Sequence, residues 1–357
     1  MGLLKLDIYH VRNIQQQSIE PSEHINFIFG ENASGKSSIL EAIYILGRAK
    51  SFRSASIKSV INTQQQHLVV AGQLSHQHQI QQLGIQLDGK AIEIHINRQP
   101  SQKRADLAYA LPLQLIHPKS YELLDAGPQI RREFLDWGVF NHDEHFLQAW
   151  RRFKKALSQR NSLLKSKQSQ QLNVWDKELA YYGTIVDVSR RQYLSNLKPV
   201  LLEIIKKFLD FEYLDISLVS GWDTEIPLLQ LLEADLDRDL RYGFTHSGPH
   251  RADFLITVNK QLAKDFVSRG QLKLLVLSLK LAQVQLLANK QNAMSCILID
   301  DFAAELDISN RAKLLEFLAD LPCQVFITAT EMADFGSVEQ IKNYRLFHVE
   351  QGNIKQL

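Results

Sequence analysis

Gly30-Glu31-Asn32-Ala33-Ser34-Gly35-Lys36-Ser37 fits the pattern GxxxxGK[ST]. An apolar run, Ile25 to Phe29, precedes it and reads as a short buried strand; Ser38-Ile39-Leu40-Glu41-Ala42-Ile43 follows it with helical spacing. Strand, glycine-rich loop and helix in that order are the context a phosphate-binding loop requires. The glycines let the backbone fold with its N–H groups pointing inward, and the helix N-terminus adds a positive end. In this reading the loop residues Gly30 to Ser37, with Ser38 just beyond, hold the phosphates of ATP. Lys36 bridges the β- and γ-phosphates, and the Ser37 hydroxyl ligates Mg2+.

Such a loop needs an acid on the metal's other side. Cys296-Ile297-Leu298-Ile299-Asp300-Asp301 supplies one, as a buried strand with two acids at its carboxyl end. Asp300 is expected on the magnesium side, and Asp301 is placed to orient or deprotonate the attacking water.

Working outward, Leu4, Leu6, Ile8 and Val11 nearly alternate, and Leu68 to Asn97 alternates around an Asp88-Gly89 turn, which predicts antiparallel strands. From Pro128 to Tyr242 aromatic and aliphatic residues recur at spacings of three and four, so this block is mostly helical. Strands return at Phe254–Val258, Cys296–Ile299 and Gln324–Thr328, with helical patterns at Gln271–Asn289 and Ser309–Leu318. The expectation is an α/β ATPase head with a mixed, partly antiparallel sheet, formed by residues 1–125 and 243–357 and split by a helical lobe at 126–242. The lobe lacks sustained heptads, which excludes long coiled-coil arms.

The balance of 41 Lys+Arg against 39 Asp+Glu excludes a histone-like polymer, and 45% apolar content excludes a disordered chain. Neither a signal sequence nor a membrane span is expected, so the chain reads as cytoplasmic. Cys296 and Cys323 lie in apolar surroundings without CxxC spacing and read as buried, reduced thiols.

Taken together these motifs resemble the RecF family, relatives of the SMC ATPase heads. The segments carrying the resemblance are Val11-Arg12-Asn13, the phosphate loop, Gly127-Pro128 with Arg131 to Trp137, Thr245 to Asp253, Ser268-Arg269-Gly270-Gln271 and Asp300 to Asp307. The resemblance implies a nucleoid-associated, ATP-dependent DNA-binding protein that dimerises on ATP. It also implies a weak, DNA-stimulated ATPase that works with RecR and RecO to load RecA at gaps and stalled forks. By the same resemblance Arg12 and Asn13 lie near the nucleotide, and Ser268 to Gln271 form a signature motif that caps nucleotide held by the opposite subunit. Ala304 to Asp307 would face the partner's phosphate loop, and Thr330 stands where transporter cassettes use a switch histidine. Asp301 is one methylene shorter than the glutamate of many cassette ATPases, which implies slow hydrolysis.

Where DNA would bind is less defined. Arg151, Arg152, Lys154, Lys155 and Arg160 belong to a basic run without acids, read either as phosphate contacts or as a solvated helix face. These positions go round a helix instead of forming one stripe. Arg131-Arg132, His250-Arg251 and Arg53 compete for the same duty, with a core histidine at 250 and an Arg251–Asp253 pair as the plainer alternatives. No aromatic and basic pattern of a single-strand stacking platform is legible. A small-molecule enzyme of transporter or kinase type is the competing class; the long insertion and the signature tetrapeptide argue against it.

Overall fold

The structure is a computed structural model and describes residues 2–76, 79–89, 91–289 and 295–357. The backbone divides into two compact units, residues 1–120 with 284–357, and residues 121–283.

The first unit holds two six-stranded sheets. One is antiparallel, in the order β2-β1-β4-β5-β6-β7, from β1 (Gly2–Val11), β2 (Ile14–Ile19), β4 (His67–His76), β5 (Gln79–Asp88), β6 (Ile92–Ile96) and β7 (Gln99–Ser101). Its alternation has a simple cause. Leu6, Ile8, Leu68, Val70, Ile85 and Leu87 turn inward, while the intervening Asp7, Val69 and Gln86 fall on the other face.

The second sheet runs β15-β14-β3-β13-β12-β8. Its strands are β3 (Ile25–Phe29), β8 (Leu113–Ile116), β12 (Cys296–Ile299), β13 (Gln324–Ala329), β14 (Tyr344–Glu350) and β15 (Asn353–Gln356). All its pairings are parallel except β14 with β15. β12 and β13 are buried along their whole length, which is why Cys296–Ile299 and Val325–Ile327 read as continuous apolar runs. Cys296 and Cys323 are buried free thiols, and burial pushes the Cys323 pKa up to about 12.

Helix α1 (Lys36–Arg48) shares one core cluster with both sheets: Ile39, Ile43 and Leu46 lie with Leu6, Val70, Leu298 and Phe326. Both faces of this helix are covered, so its apolar residues exceed one stripe. Helices α2 (Arg104–Ala110), α11 (Phe302–Glu305) and α12 (Ile308–Asp320) complete this unit.

In the second unit lie α3 (Glu122–Asp125), α4 (Pro128–His142), α5 (Phe146–Lys165), α6 (Leu172–Phe208), α7 (Leu228–Ala234), α8 (Leu236–Tyr242), α9 (Ala263–Phe266) and most of α10 (Arg269–Ala288). A three-stranded antiparallel sheet, β11-β10-β9, joins them, from β9 (Leu214–Val219), β10 (Asp253–Val258) and β11 (Gln261–Leu262). Because β10 pairs along its length with β9, residues 243–283 pack with the helical block, although the sequence places them in the second segment of the head.

Arg160 is the hub of this unit. Its side chain is fully buried, donating to Asp176 Oδ1 (2.6 Å), Asp239 Oδ2 (2.5 Å), Thr245 Oγ1 (2.9 Å) and the Leu232 carbonyl (3.2 Å). A buried guanidinium persists only when such partners surround it.

Candidate nucleotide site

At the end of β3 the chain turns through Gly30 at φ +151°, where a β-carbon would meet the Val349 carbonyl oxygen at 2.1 Å. Asn13 shapes the rest of the loop. Its Nδ2 donates to the carbonyls of Ala33 (3.3 Å) and Ser34 (2.9 Å), and its Oδ1 accepts from Ser38 Oγ (3.0 Å). The ammonium of Lys36 donates to the carbonyls of Gly30 (2.6 Å) and Glu31 (2.8 Å). Burial lowers the Lys36 pKa, while Asp301 and Asp300 act the other way. Ser34 Oγ is buried without a hydrogen-bond partner among the described residues, so the loop contains a polar atom still to be satisfied.

Arg12 supports the loop from behind. It grips the fully buried Glu41 of α1 through Nε (2.8 Å) and Nη2 (3.0 Å), and Nη1 donates to the Ser59 carbonyl (2.7 Å). Its guanidinium is thereby committed to the helix that carries Lys36.

β12 lies one strand away from β3, with β13 between them. This order sets Asp300 beside Ser37, whose Oγ donates to Asp300 Oδ1 at 2.8 Å. The same carboxylate oxygen accepts from Thr328 Oγ1 (2.9 Å), and Thr328 Oγ1 in turn accepts from the Asp301 backbone N–H (2.9 Å). Burial raises the Asp300 pKa, opposed by the Ser37 and Thr328 hydrogen bonds and by the charge of Arg53. A hydroxyl and a carboxylate are the hard oxygen donors that magnesium takes alongside phosphate and water. No cluster of three or more His, Cys, Asp or Glu suited to a fully protein-held metal occurs among the described residues. Asp301 is exposed and takes up a left-handed conformation, φ +57°.

Thr328 is the site residue that the sequence reading misses. Its signal is a hydroxyl within the buried run Val325-Phe326-Ile327-Thr328-Ala329, where a polar group needs a partner. Thr328→Val keeps the volume and removes both hydrogen bonds. ATP turnover should fall about tenfold or more while nucleotide affinity changes little, and Thr328→Ser should restore turnover in a phosphate-release assay.

Ser268 and Gln271 close on each other: the Ser268 N–H donates to Gln271 Oε1 (3.0 Å), and the Gln271 N–H donates to Ser268 Oγ (3.3 Å). This is a capping box at the start of α10, and Ser268, Arg269, Gly270 and Gln271 are all exposed. Asp307 likewise caps α12, accepting from the Asn310 N–H (2.9 Å) and Nδ2 (2.7 Å), which lower its pKa. Beside it Ile308 is 81% exposed. Thr330 meets the loop through its backbone, its carbonyl accepting from the Gly30 N–H at 3.2 Å.

The basic run divides. Arg151, Arg152, Lys154 and Lys155 are exposed, opposite the buried stripe of Ala149, Phe153, Ala156 and Leu157, so they share one broad face of α5. Arg160, expected among the DNA contacts, is instead sealed inside with Asp176 and Asp239 and has no surface to offer. Arg131 is similarly removed from the surface: it pairs with Asp253 at 2.7 and 2.9 Å, and Arg132 donates to the Ala252 carbonyl. Asp253 is therefore occupied by Arg131 and not by Arg251. His250 is a core histidine whose Nε2 lies 2.9 Å from the Thr245 carbonyl; burial, chiefly, and neighbouring cations hold its pKa down to about 4.

The family model described as RecF/RecN/SMC N terminal domain matches residues 2–355. The DNA replication and repair protein RecF of Vibrio vulnificus (strain CMCP6) is 42% identical over 360 residues, covering 100% of both chains. A solved structure of the recombination mediator protein RecF with ATP, in the RecFOR pathway, superposes with a TM-score of 0.89 at 26% identity, covering 100% of this chain and 97% of that one. The Smc head domain of Pyrococcus furiosus, solved bound to the C-terminal domain of ScpA, shares the fold at a TM-score of 0.60 and 15% identity, over 100% of this chain and 96% of that one. The chain, whose glycine-rich loop faces a strand-borne acid, matches the family model over residues 2–355 and a RecF relative at 42% identity over its whole length, and it belongs to the RecF family of ATPases.

Proposed function

We propose that the chain is an ATP-dependent DNA-binding protein of recombinational repair and replication restart. It binds gapped or junction DNA as an ATP-induced homodimer and, in the cytoplasm at the nucleoid, assists RecA loading with RecR and RecO. The observation that carries the reading is the cluster of Ser37, Asp300 and Thr328, with Lys36 beside it, at the carboxyl ends of three neighbouring parallel strands and their following loop. Lys36 holds the β- and γ-phosphates, and Ser37 and Asp300 would hold magnesium, which would supply positive charge against the phosphates. Asp301 orients the water that attacks the γ-phosphorus as the bond to ADP breaks. A carboxylate on so short a side chain positions water loosely, which fits a slow ATPase acting as a switch. Ser268 to Gln271 and Asp307 meet the nucleotide of the other subunit, for which their exposure leaves them accessible.

Sedimentation velocity with and without ATP and a gapped duplex, at two salt concentrations, tests this. Wild type should form ATP-dependent dimers whose DNA binding weakens with salt. Asp301→Asn should bind ATP and persist as a dimer, and Ser268→Arg should bind ATP yet stay monomeric. A Ser268→Arg dimer, or an Asp301→Asn chain no more dimeric than wild type, counts against the shared nucleotide.

A further inference from the structure

Helix α8 ends at Tyr242 because Gly243 adopts φ +74°, its N–H returning to the Asp239 carbonyl at 2.7 Å. The turn brings Tyr242 and Phe244 to the surface, 58% and 37% exposed. Their ring centroids are 6.2 Å apart, and the His246 ring lies 5.3 Å from the first and 4.3 Å from the second. Each exposed ring carries a guanidinium: Arg241 Cζ is 5.8 Å from the Tyr242 centroid and Arg251 Cζ is 5.2 Å from that of Phe244. Lys165, the last residue of α5, passes beside Gly243.

Three observations say what such a surface takes. Aromatic faces paired with cations suit a chain of flat rings linked by negative charges. The exposed Arg151, Arg152, Lys154 and Lys155 continue the positive charge along α5, and both Lys154 and Arg251 lie close enough to His250 to depress its pKa. Of the acids on the same stretch, Asp239 accepts from Arg160 and from His246 Nδ1 (2.6 Å) and Asp235 holds Arg238 and Ser247, while Glu233 and Asp237 are exposed. That anchoring also fixes His246 beside the two exposed rings, so little ordering is left for binding to impose.

We propose that Tyr242 and Phe244, flanked by Arg241, Arg251 and Lys165, form a stacking platform for unpaired bases of single-stranded DNA. This rests on the DNA-binding function proposed above and adds the site that distinguishes a gap from plain duplex. The basic face of α5 contacts backbone phosphates and is indifferent to strandedness.

The test uses the full chain with ATP, a duplex with a gap carrying 2-aminopurine, and a blunt duplex of equal length. Wild type should quench the 2-aminopurine. Tyr242→Ala and Phe244→Ala should lose the quench and weaken gap binding about tenfold while blunt-duplex affinity stays within about twofold. Tyr242→Phe should behave as wild type. Tyr242 is the safer probe, since its ring is more than half in solvent and an unchanged melting temperature confirms its fold. Wild type that binds the gap without quenching, or a Tyr242→Ala variant that binds gap and duplex as wild type does or weakens on both equally, overturns the platform and leaves the DNA-binding reading standing. Wild type that binds neither substrate overturns both.

Discussion

Lys36→Ala should abolish ATP binding and, with it, every ATP-dependent association of the chain. The ammonium is the single formal positive charge of the phosphate loop, and its hydrogen bonds to anionic oxygens are of the charge-assisted kind, about 1.5–3 kcal/mol each. Losing two of them corresponds to at least about a hundredfold in affinity. Stability should hardly change, because among the described residues the hydrogen bonds lost are those to the carbonyls of Gly30 and Glu31. Titration with a fluorescent nucleotide alongside a thermal melt separates the two effects. Unchanged affinity would remove the phosphate-loop reading altogether.

Arg160→Ala should have the largest effect on stability. It leaves Asp176 and Asp239 buried without the cation that both face, a change that costs about 3–5 kcal/mol. At about 2–4 °C per kcal/mol this lowers the melting temperature by about 10 °C. Arg151→Ala, on the exposed face of the same helix, should stay within about 0.5 kcal/mol of wild type in urea denaturation. If both variants melt like wild type, the buried network is not what holds the helical unit together.

The two arginines also mark what a sequence can and cannot convey. The strand, glycine-rich loop and helix from Ile25 to Arg48 were legible because their geometry is local: glycines, lysine and serine at fixed spacing dictate one backbone path. The strand Cys296–Ile299 with Asp300 at its end was legible because a buried strand ending in acids is also a local pattern. Thr328 was not, since its partner lies 28 positions away and only the strand order of the second sheet makes them neighbours. Charge patterning failed at Arg160 for the same reason: one row of cations on a helix gives no sign of which member will find two carboxylates in the interior. The basic segments Arg131-Arg132 and His250-Arg251 competed as DNA contacts until the fold set Arg131 against Asp253 and freed Arg251 to lie over Phe244. Short strands such as β8, only four residues and fully buried, offer too little periodicity to be told from a loop. The aromatic platform escaped notice because Arg251 arrives from a separate turn.

The order of strands in the parallel sheet also bears on how the chain is made. β3, which launches the phosphate loop, finds its two neighbours in β13 and β14, both near the carboxyl end. On the ribosome β3 emerges before both of these neighbours and must wait, with both edges unpaired, until β13 and β14 follow it. Residues 121–283 are complete well before that moment and form a compact unit of their own. Synthesis therefore lets residues 121–283 assemble before β3 is paired, and β3 is the stretch that a chaperone has most reason to guard.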